Sequence, residues 1–353
     1  MLFNFYKLFK IDILDLSATQ ICSMAQHLDG HDNTVGTFTI EMLFEIAKNS
    51  SNTQLAKKRR GNEQIKSTHL LRLTSVNAHP RDARISFDEE KHLYFLDNCW
   101  QFPRSVSAVW SSFFERFDAV AVIERYFDTW AENDESKYYA LIKDKRAERT
   151  TDADIKRHIA DAWRHKGDEA SNFGSHIHRQ IELFLNAQPF DDSSDELQQF
   201  FDFLRSFASP RRWIPFRTEW SIYNEDMQVA GQIDCIFVDP KGQFHMVDWK
   251  CVARNLEPLS GECFGKYGFG PCEKLLDNKF NHYLAQQNLY AVILEQCYDI
   301  SLTSMWLVQL HCGLTNFQAL EVPFQLDMAI NMLQLSCKES EAGELLPPVV
   351  RAQ

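Results

Sequence analysis

The stretch QVAGQIDCIFVDPKGQFHMVDWK, residues 228–250, predicts a β-hairpin. At its centre, DPKG at residues 239–242 fits a type I turn, because Asp is favoured at the first position and Pro presets φ at the second. Both flanks are rich in β-branched and aromatic residues, which is typical of strands. A three-residue loop that ends on a left-handed Gly242 then determines which residues of the two strands face each other.

This register places Asp234 directly opposite Asp248 on one face of the hairpin, with Cβ atoms roughly 5 Å apart. Lys250 projects from the same face, whereas Trp249 points to the other. Two carboxylates so close repel each other, which raises one pKa or favours a cation between them. Oxygen ligands suit Mg²⁺ or Mn²⁺, and an ammonium beside the ion can orient a nucleophile. The alternative is a surface hairpin with a salt bridge between Lys250 and one aspartate.

The segment GSHIHRQIE, residues 174–182, predicts the start of an amphipathic helix whose buried stripe includes Ile177 and Ile181. His178 and Glu182 lie one turn apart on another face. A neutral imidazole there could bind a metal while the glutamate steadies the site. A histidine that simply packs beside the apolar stripe is the alternative.

Another helical segment, YLAQQNLYAVILEQ, holds Gln286 and Tyr290 at the same one-turn spacing. Five short motifs follow one another along the chain: Gly174…His178…Glu182, Glu219 in RTEW, Gly231-Gln232-Ile233-Asp234, Asp248-Trp249-Lys250 and Gln286…Tyr290. Their order resembles the RecB-type branch of the PD-(D/E)XK nuclease superfamily. Within that branch, residues 84–323 are similar to exonucleases of the mitochondrial genome maintenance type and to related viral, phage and protist proteins.

The resemblance assigns a role to each of these residues. It implies a metal site made by His178, Asp234, Asp248 and the main-chain carbonyl of Trp249, with Lys250 positioning the attacking water. It also implies that Glu219 is a further carboxylate near the site, and that Gln286 and Tyr290 contact DNA or support the lysine.

The implied activity is Mg²⁺- or Mn²⁺-dependent hydrolysis of DNA phosphodiester bonds. The resemblance favours an exonuclease that acts on DNA ends or single strands in DNA repair, recombination or genome maintenance. Because the chain has no Walker A motif, ATP-driven unwinding would need a helicase or another replication or repair partner. Two alternatives stay open: a catalytically silent nucleic-acid-binding module on the same fold, and a metal-dependent hydrolase of a smaller substrate.

A net charge of −12 is unusual for a DNA-binding protein, since affinity for phosphates comes from Lys and Arg. Basic residues are nevertheless concentrated between Lys143 and Arg179. We predict that this stretch forms a helical arch that guides a strand to the metal, with Arg157 and Arg164 contacting DNA and with Trp163 or Phe173 stacking on bases. A solvated helix face is the equally weighted alternative, because acidic residues are interspersed.

Composition is that of a globular protein, with 44% hydrophobic residues among 353. We expect no membrane segment, because no stretch reaches the roughly 18 apolar residues of a spanning helix. No signal peptide is evident. Nine cysteines without a C-x-x-C pair fit reduced thiols in an intracellular compartment, whether nucleus, cytoplasm or mitochondrion.

The expected fold class is α/β, a mixed central sheet flanked by helices, as in the restriction-endonuclease-like core of PD-(D/E)XK enzymes. Residues 1–80 are predicted to form a helical segment and a polar linker, residues 81–338 the nuclease domain and residues 339–353 a flexible tail. Strands are expected at 217–223, 229–238, 244–249, 304–311 and 318–322.

Overall fold

The computed structural model describes residues 39–47, 72–190, 194–253, 256–258 and 265–342. Of the predicted N-terminal helical segment, it describes a helix over residues 40–47, which we name α1. The rest of that segment, the polar linker with its basic run Lys57–Arg60 and the end of the predicted tail, residues 343–353, lie outside the described residues.

A small antiparallel sheet precedes the main one. It consists of β1 (Ile85–Asp88), β2 (Leu93–Leu96) and β3 (Trp100–Gln101). Its first two strands form an antiparallel hairpin, in which Ile85 faces Leu96.

The central sheet is mixed. Its strands are β4 (Arg104–Ser105), β5 (Ile214–Asn224), β6 (Val229–Val238), β7 (Phe244–Lys250), β8 (Leu302–Gln309) and β9 (Gln318–Glu321). They run in the order β4-β6-β7-β8-β9, and β5 also pairs with β6. The pairs β4–β6 and β7–β8 are parallel, whereas β5–β6, β6–β7 and β8–β9 are antiparallel. Each strand that was predicted from the sequence is present within a few residues of its expected bounds.

Helices flank this sheet, as predicted. After α1 they are α2 (Arg72–Val76), α3 (Val106–Ser111), α4 (Ala119–Glu132), α5 (Tyr139–Ala147), α6 (Asp152–Leu185), α7 (Asp195–Phe203), α8 (Lys279–Tyr298) and α9 (Leu326–Ala342). The last helix thus extends into the predicted tail. Alternate residues of a strand lie in different hydrophobic cores. Ile236 and Met246 pack with α3, α8 and α9. Phe237 and Val247 pack with α6 and α7. Ile40 of α1 joins the second of these cores.

The β6–β7 hairpin has the predicted register. Cys235 faces Val247 and Val238 faces Phe244. At the turn, the Asp239 carboxylate accepts hydrogen bonds from the backbone N–H groups of Lys241 (2.8 Å) and Gln243 (2.9 Å). Gly242 has the positive φ, +76°, that the three-residue loop requires.

The helix that carries His178 does not begin at Gly174, so that prediction is wrong. Helix α6 begins at Asp152, after the N-cap Thr151, and continues without interruption to Leu185. An interior glycine costs only about 1 kcal/mol relative to alanine, which is too little to end a helix that is anchored by buried residues near both of its ends. Ile155 and Ile177, one on each side of the glycine, are both fully buried.

Helix α6 also connects the sheet to a separate helical cluster. The cluster is formed by α4, α5 and the first part of α6 around a core of Ile123, Phe127, Ile142, Ile155 and Ile159. Between this core and His178, residues 161–176 include no buried residue. At 1.5 Å per residue, this exposed part of the helix is about 24 Å long.

Among the residues that the structure describes, no helix has both the length and the apolar character needed to cross a membrane.

Candidate metal centre and active site

Three side chains from three different elements meet beside the central sheet. They are His178 of α6, Glu219 of β5 and Asp234 of β6, and their potential ligand atoms all lie within 4.8 Å of one another. His178 Nδ1 is 3.6 Å from Asp234 Oδ2 and 3.8 Å from Glu219 Oε1. One imidazole and two carboxylates are a donor set that a divalent cation can accept.

The state of His178 follows from its neighbours. Its Nε2 is 3.0 Å from the carbonyl oxygen of Trp249. Because a carbonyl only accepts hydrogen bonds, Nε2 carries the proton and Nδ1 presents a lone pair to the carboxylates. Burial, and then the charge of Lys250, lowers the pKa of His178 to about 4, so the ring is neutral at pH 7.

The carboxylates of the site are destabilised in their ionised form. Burial raises the pKa of Asp234, although a hydrogen bond from the backbone N–H of Trp249 (2.9 Å) partly opposes it. Burial and the neighbouring Asp234 raise the pKa of Asp248 to about 7. The pKa of Glu219 is raised well above its usual value by burial and by Asp234. Without a cation, burial and mutual repulsion therefore favour the protonated forms of these acids.

Glu219 reaches the site from a strained backbone. Its φ is +44°, in the left-handed region, although it lies inside β5. The ladder on either side is intact, with Thr218 facing Cys235 and Trp220 facing Ile233. Such a conformation costs on the order of 1–3 kcal/mol and is concentrated at functional sites.

Lys250 lies at the end of β7 and forms an ion pair with Asp248, Nζ to Oδ2 2.6 Å. Burial lowers the pKa of Lys250, but Asp248 and Asp234 raise it by more, so that the net shift is upward. The side chain is therefore an ammonium at neutral pH, and it can orient a nucleophile or offset negative charge but cannot act as a base. As predicted, Trp249 points the other way and is buried.

Helix α8 covers the site with Gln286 and Tyr290. Gln286 Nε2 lies 3.4 Å from the Tyr290 hydroxyl and 3.5 Å from Ser107 Oγ. A Cβ atom on Gly231 would lie 2.7 Å from Tyr290 Cε1, closer than side chains pack. The glycine of the GQID motif therefore lets α8 approach β6. Whether Gln286 and Tyr290 contact DNA stays a prediction.

Two tyrosines at the site were not predicted. The centroid of the Tyr283 ring in α8 lies 4.6 Å from Lys250 Nζ, which faces the ring. Burial, and then the charges of Glu219 and Asp234, raises the pKa of Tyr94 in β2. Helical spacing could have revealed Tyr283, which precedes Gln286 by three residues and shares its face. No sequence signal connects Tyr94 with the site.

Glu182 has a supporting position. It is buried, and it forms an ion pair with Arg179. Its charge is among the causes that raise the pKa of Glu219, which places the two carboxylates near each other. That Glu182 steadies the site stays a prediction.

The two predicted DNA-binding arginines are far from the metal ligands along α6. Arg157 forms an ion pair with Asp154 (3.0 Å) and Arg164 with Asp161 (2.6 Å), and all four side chains are exposed. A contact between these arginines and DNA stays a prediction.

The two aromatic residues of this stretch have different surroundings. Trp163 Nε1 donates a hydrogen bond to the Tyr138 hydroxyl (2.6 Å), and its ring packs with Trp130. Trp163 thus contributes to the packing of the helical cluster, whereas Phe173 is exposed. Of the two, Phe173 is the residue that remains open to stacking on a base.

Comparison with known proteins gives little. No family model and no curated protein matches this chain. Seventeen chains of known structure match it. One of them, titled "Crystal structure of SSO0001", is 11% identical with a TM-score of 0.23, over 49% of this chain and 76% of that one. A likeness at this level carries no conclusion about function.

Proposed function

We propose that this protein is a metal-dependent deoxyribonuclease that hydrolyses phosphodiester bonds, as an exonuclease on DNA ends or single strands. The observation that carries the proposal is the meeting of His178, Glu219 and Asp234 beside the Asp248–Lys250 ion pair. The same residues carry the sequence resemblance to the RecB-type nucleases. Their convergence in space therefore supports the function that the resemblance implies.

A divalent cation fits this donor set. The Nδ1 lone pair of neutral His178 faces the carboxylates of Asp234 and Glu219, whose pKa values are raised by burial, so that a bound cation would offset the cost of their charge. His178, Asp234 and Asp248 would hold Mg²⁺ or Mn²⁺, with Glu219 close enough to join them and with the Trp249 carbonyl beside His178. When bound, the ion would polarise the scissile phosphate and lower the pKa of a bound water.

The other groups of the site orient the reacting groups and offset negative charge. The ammonium of Lys250 can donate a hydrogen bond to the attacking water or to a phosphate oxygen, where it offsets the charge that develops. The carbonyl of Trp249 holds His178 in the tautomer that exposes Nδ1. Gln286 and Tyr290 form the wall of the site on the α8 side.

The test is cleavage of 5′- and 3′-labelled single- and double-stranded DNA with Mg²⁺, Mn²⁺ or EDTA. We expect cleavage by the parent that EDTA abolishes and that Asp234→Asn loses. The matched control is Asp202→Asn, which changes an exposed aspartate paired with Arg205. The order in which labelled products appear would give the polarity and the strand preference.

An inactive parent that still binds DNA would overturn the nuclease proposal and favour the silent binding module. Cleavage that persists in EDTA would contradict metal dependence. Activity on a small phosphodiester alone would favour the hydrolase of a smaller substrate. A role in DNA repair, recombination or genome maintenance with a helicase partner, in an intracellular reducing compartment, is part of the proposal and depends on the same result.

A further inference from the structure

The Lys250 ammonium has two neighbours of different kinds. One is the Asp248 carboxylate, 2.6 Å from Nζ. The other is the face of the Tyr283 ring, 4.6 Å from Nζ to the centroid. An ammonium within about 6 Å of an aromatic centroid is attracted to the ring, and the attraction is largest where the pair is desolvated. Only 15% of the lysine side chain is exposed.

We infer that Tyr283 is a positioning residue, which holds the Lys250 ammonium over the site through the face of its ring. This inference rests on the proposed nuclease function, in which Lys250 orients the attacking water. It adds to the site a residue that belongs to neither the metal ligands nor the sequence motifs.

The reason for a second partner lies in Asp248. In the proposed function this carboxylate is also a metal ligand. A bound cation would partly neutralise the negative charge that attracts the lysine. An ion pair that weakens would let the long lysine side chain regain its rotamers. The ring of Tyr283 is not a metal ligand, so its attraction for the ammonium persists when Asp248 binds the cation.

The ring, rather than the hydroxyl, is the part of Tyr283 that acts. Within the described part of the chain, no hydrogen bond is made by its hydroxyl. Tyr283 is half-buried against the core that contains Leu284 and Tyr290. It also lies three residues before Gln286, so that α8 presents Tyr283, Gln286 and Tyr290 on one face.

The first experiment measures kcat and KM for DNA cleavage by the parent, Tyr283→Leu and Tyr283→Phe. Leucine keeps an apolar side chain but removes the aromatic face, so we expect kcat to fall about tenfold with KM unchanged. Phenylalanine keeps the face, so we expect it to restore kcat. Tyr267→Leu, which changes a tyrosine that is 51% exposed, controls for the removal of a tyrosine elsewhere.

The second experiment needs no activity. In metal-free protein with ¹³C-labelled lysine, the Lys250 ε-methylene signal, assigned with Lys250→Arg, should show an upfield ring-current shift. That shift should persist in Tyr283→Phe and disappear in Tyr283→Leu.

The outcomes separate this inference from the proposed function. An inactive parent would overturn the nuclease itself and, with it, the role of Tyr283. An active parent with full kcat in Tyr283→Leu would overturn only the positioning role. A Tyr283→Phe variant as impaired as Tyr283→Leu would also overturn the positioning role, because the hydroxyl would then be the acting group. The absence of a ring-current shift in the parent would overturn it as well.

Discussion

The backbone of Trp249 connects Asp234 to His178. Its N–H donates a 2.9 Å hydrogen bond to the Asp234 carboxylate, and its carbonyl oxygen lies 3.0 Å from His178 Nε2. On the opposite face of β7, its indole packs edge-on against Phe200 and Phe203, with centroids 5.3 Å from each. Packing of the core therefore positions two candidate metal ligands through one residue.

A first prediction separates the ligand role from the lysine role. Asp234→Asn should abolish both Mn²⁺ binding and cleavage, because it removes a ligand charge. Lys250→Gln should lower kcat by a factor on the order of 10²–10³, which is the usual effect of removing one group that stabilises developing charge in an enzyme. It should bind Mn²⁺ at pH 8 as tightly as the parent or more tightly, because a competing cation is removed. Titration calorimetry with each variant checks this, and weaker Mn²⁺ binding by Lys250→Gln would contradict it.

A second prediction concerns pH. Burial raises the pKa of Asp248 to about 7, so below about pH 7 a cation must displace a proton from this acid. Burial also raises the pKa of Glu219, which acts in the same direction. His178, with a pKa lowered to about 4, does not compete through protonation above pH 6. The Kd for Mn²⁺ should therefore fall as pH rises from 6 to 8. Calorimetry should also record proton release at pH 6.5, and binding that is independent of pH would contradict the raised pKa values.

The same pKa shifts predict that protein kept free of metal by EDTA loses stability as pH rises. A carboxyl whose pKa is higher in the folded state than in the unfolded state binds its proton more tightly when folded. Its stabilising contribution is full at low pH and is lost as pH rises through the folded pKa, about 7 for Asp248. Unfolded histidine, with a pKa near 6.5, is still about half protonated at pH 6.5 and opposes this trend equally in the parent and in Asp248→Asn. Between pH 6.5 and 8, the Tm of the parent in EDTA should therefore fall relative to that of Asp248→Asn. Equal slopes for the two proteins would contradict this.

The hairpin shows how much the sequence could predict. Turn chemistry at Asp239 and Gly242 determined the register, and register placed Asp234 beside Asp248, because side chains alternate along a strand. These are local rules, which the sequence contains in full. The long-range meeting of this hairpin with His178 came instead from the family resemblance.

Other features depend on tertiary context that no local pattern contains. The positive φ of Glu219 is held by the pairing of its neighbours with β6. Helix α6 passes through Gly174 because buried residues near both ends of the helix outweigh the low propensity of one residue. Tyr94 reaches the site from the small sheet, whose position relative to the site could not be read from the sequence.

A further prediction tests the close approach of α8 to β6. Gly231→Ala would place a Cβ 2.7 Å from Tyr290 Cε1 and 2.9 Å from Val106 Cγ2. We expect it to lower the free energy of unfolding by about 1–3 kcal/mol, as overpacking of a core does. The control is Gly167→Ala in α6, where a Cβ meets nothing within 4 Å. The higher helix propensity of alanine should raise the free energy of unfolding of this variant by at most about 1 kcal/mol. Urea unfolding measures both, and equal stability of the two variants would show that α8 can move away.

The last prediction concerns the face of α6 that presents Arg157 and Arg164 to solvent. If it guides DNA to the site, Arg157→Glu with Arg164→Glu should raise the Kd for DNA and leave kcat at saturating substrate intact, because neither side chain touches the metal ligands. The slope of log Kd against log salt should also become shallower, by about 0.7 for each phosphate of a single strand that the variant no longer neutralises. The ion pairs with Asp154 and Asp161 are exposed, so their removal should cost little helix stability, which circular dichroism would verify. Arg205→Glu, an exposed arginine paired with Asp202 on another helix, is the matched control. An unchanged Kd in the double variant would identify this stretch as a solvated helix face, and the strand would then have to reach the metal along another surface.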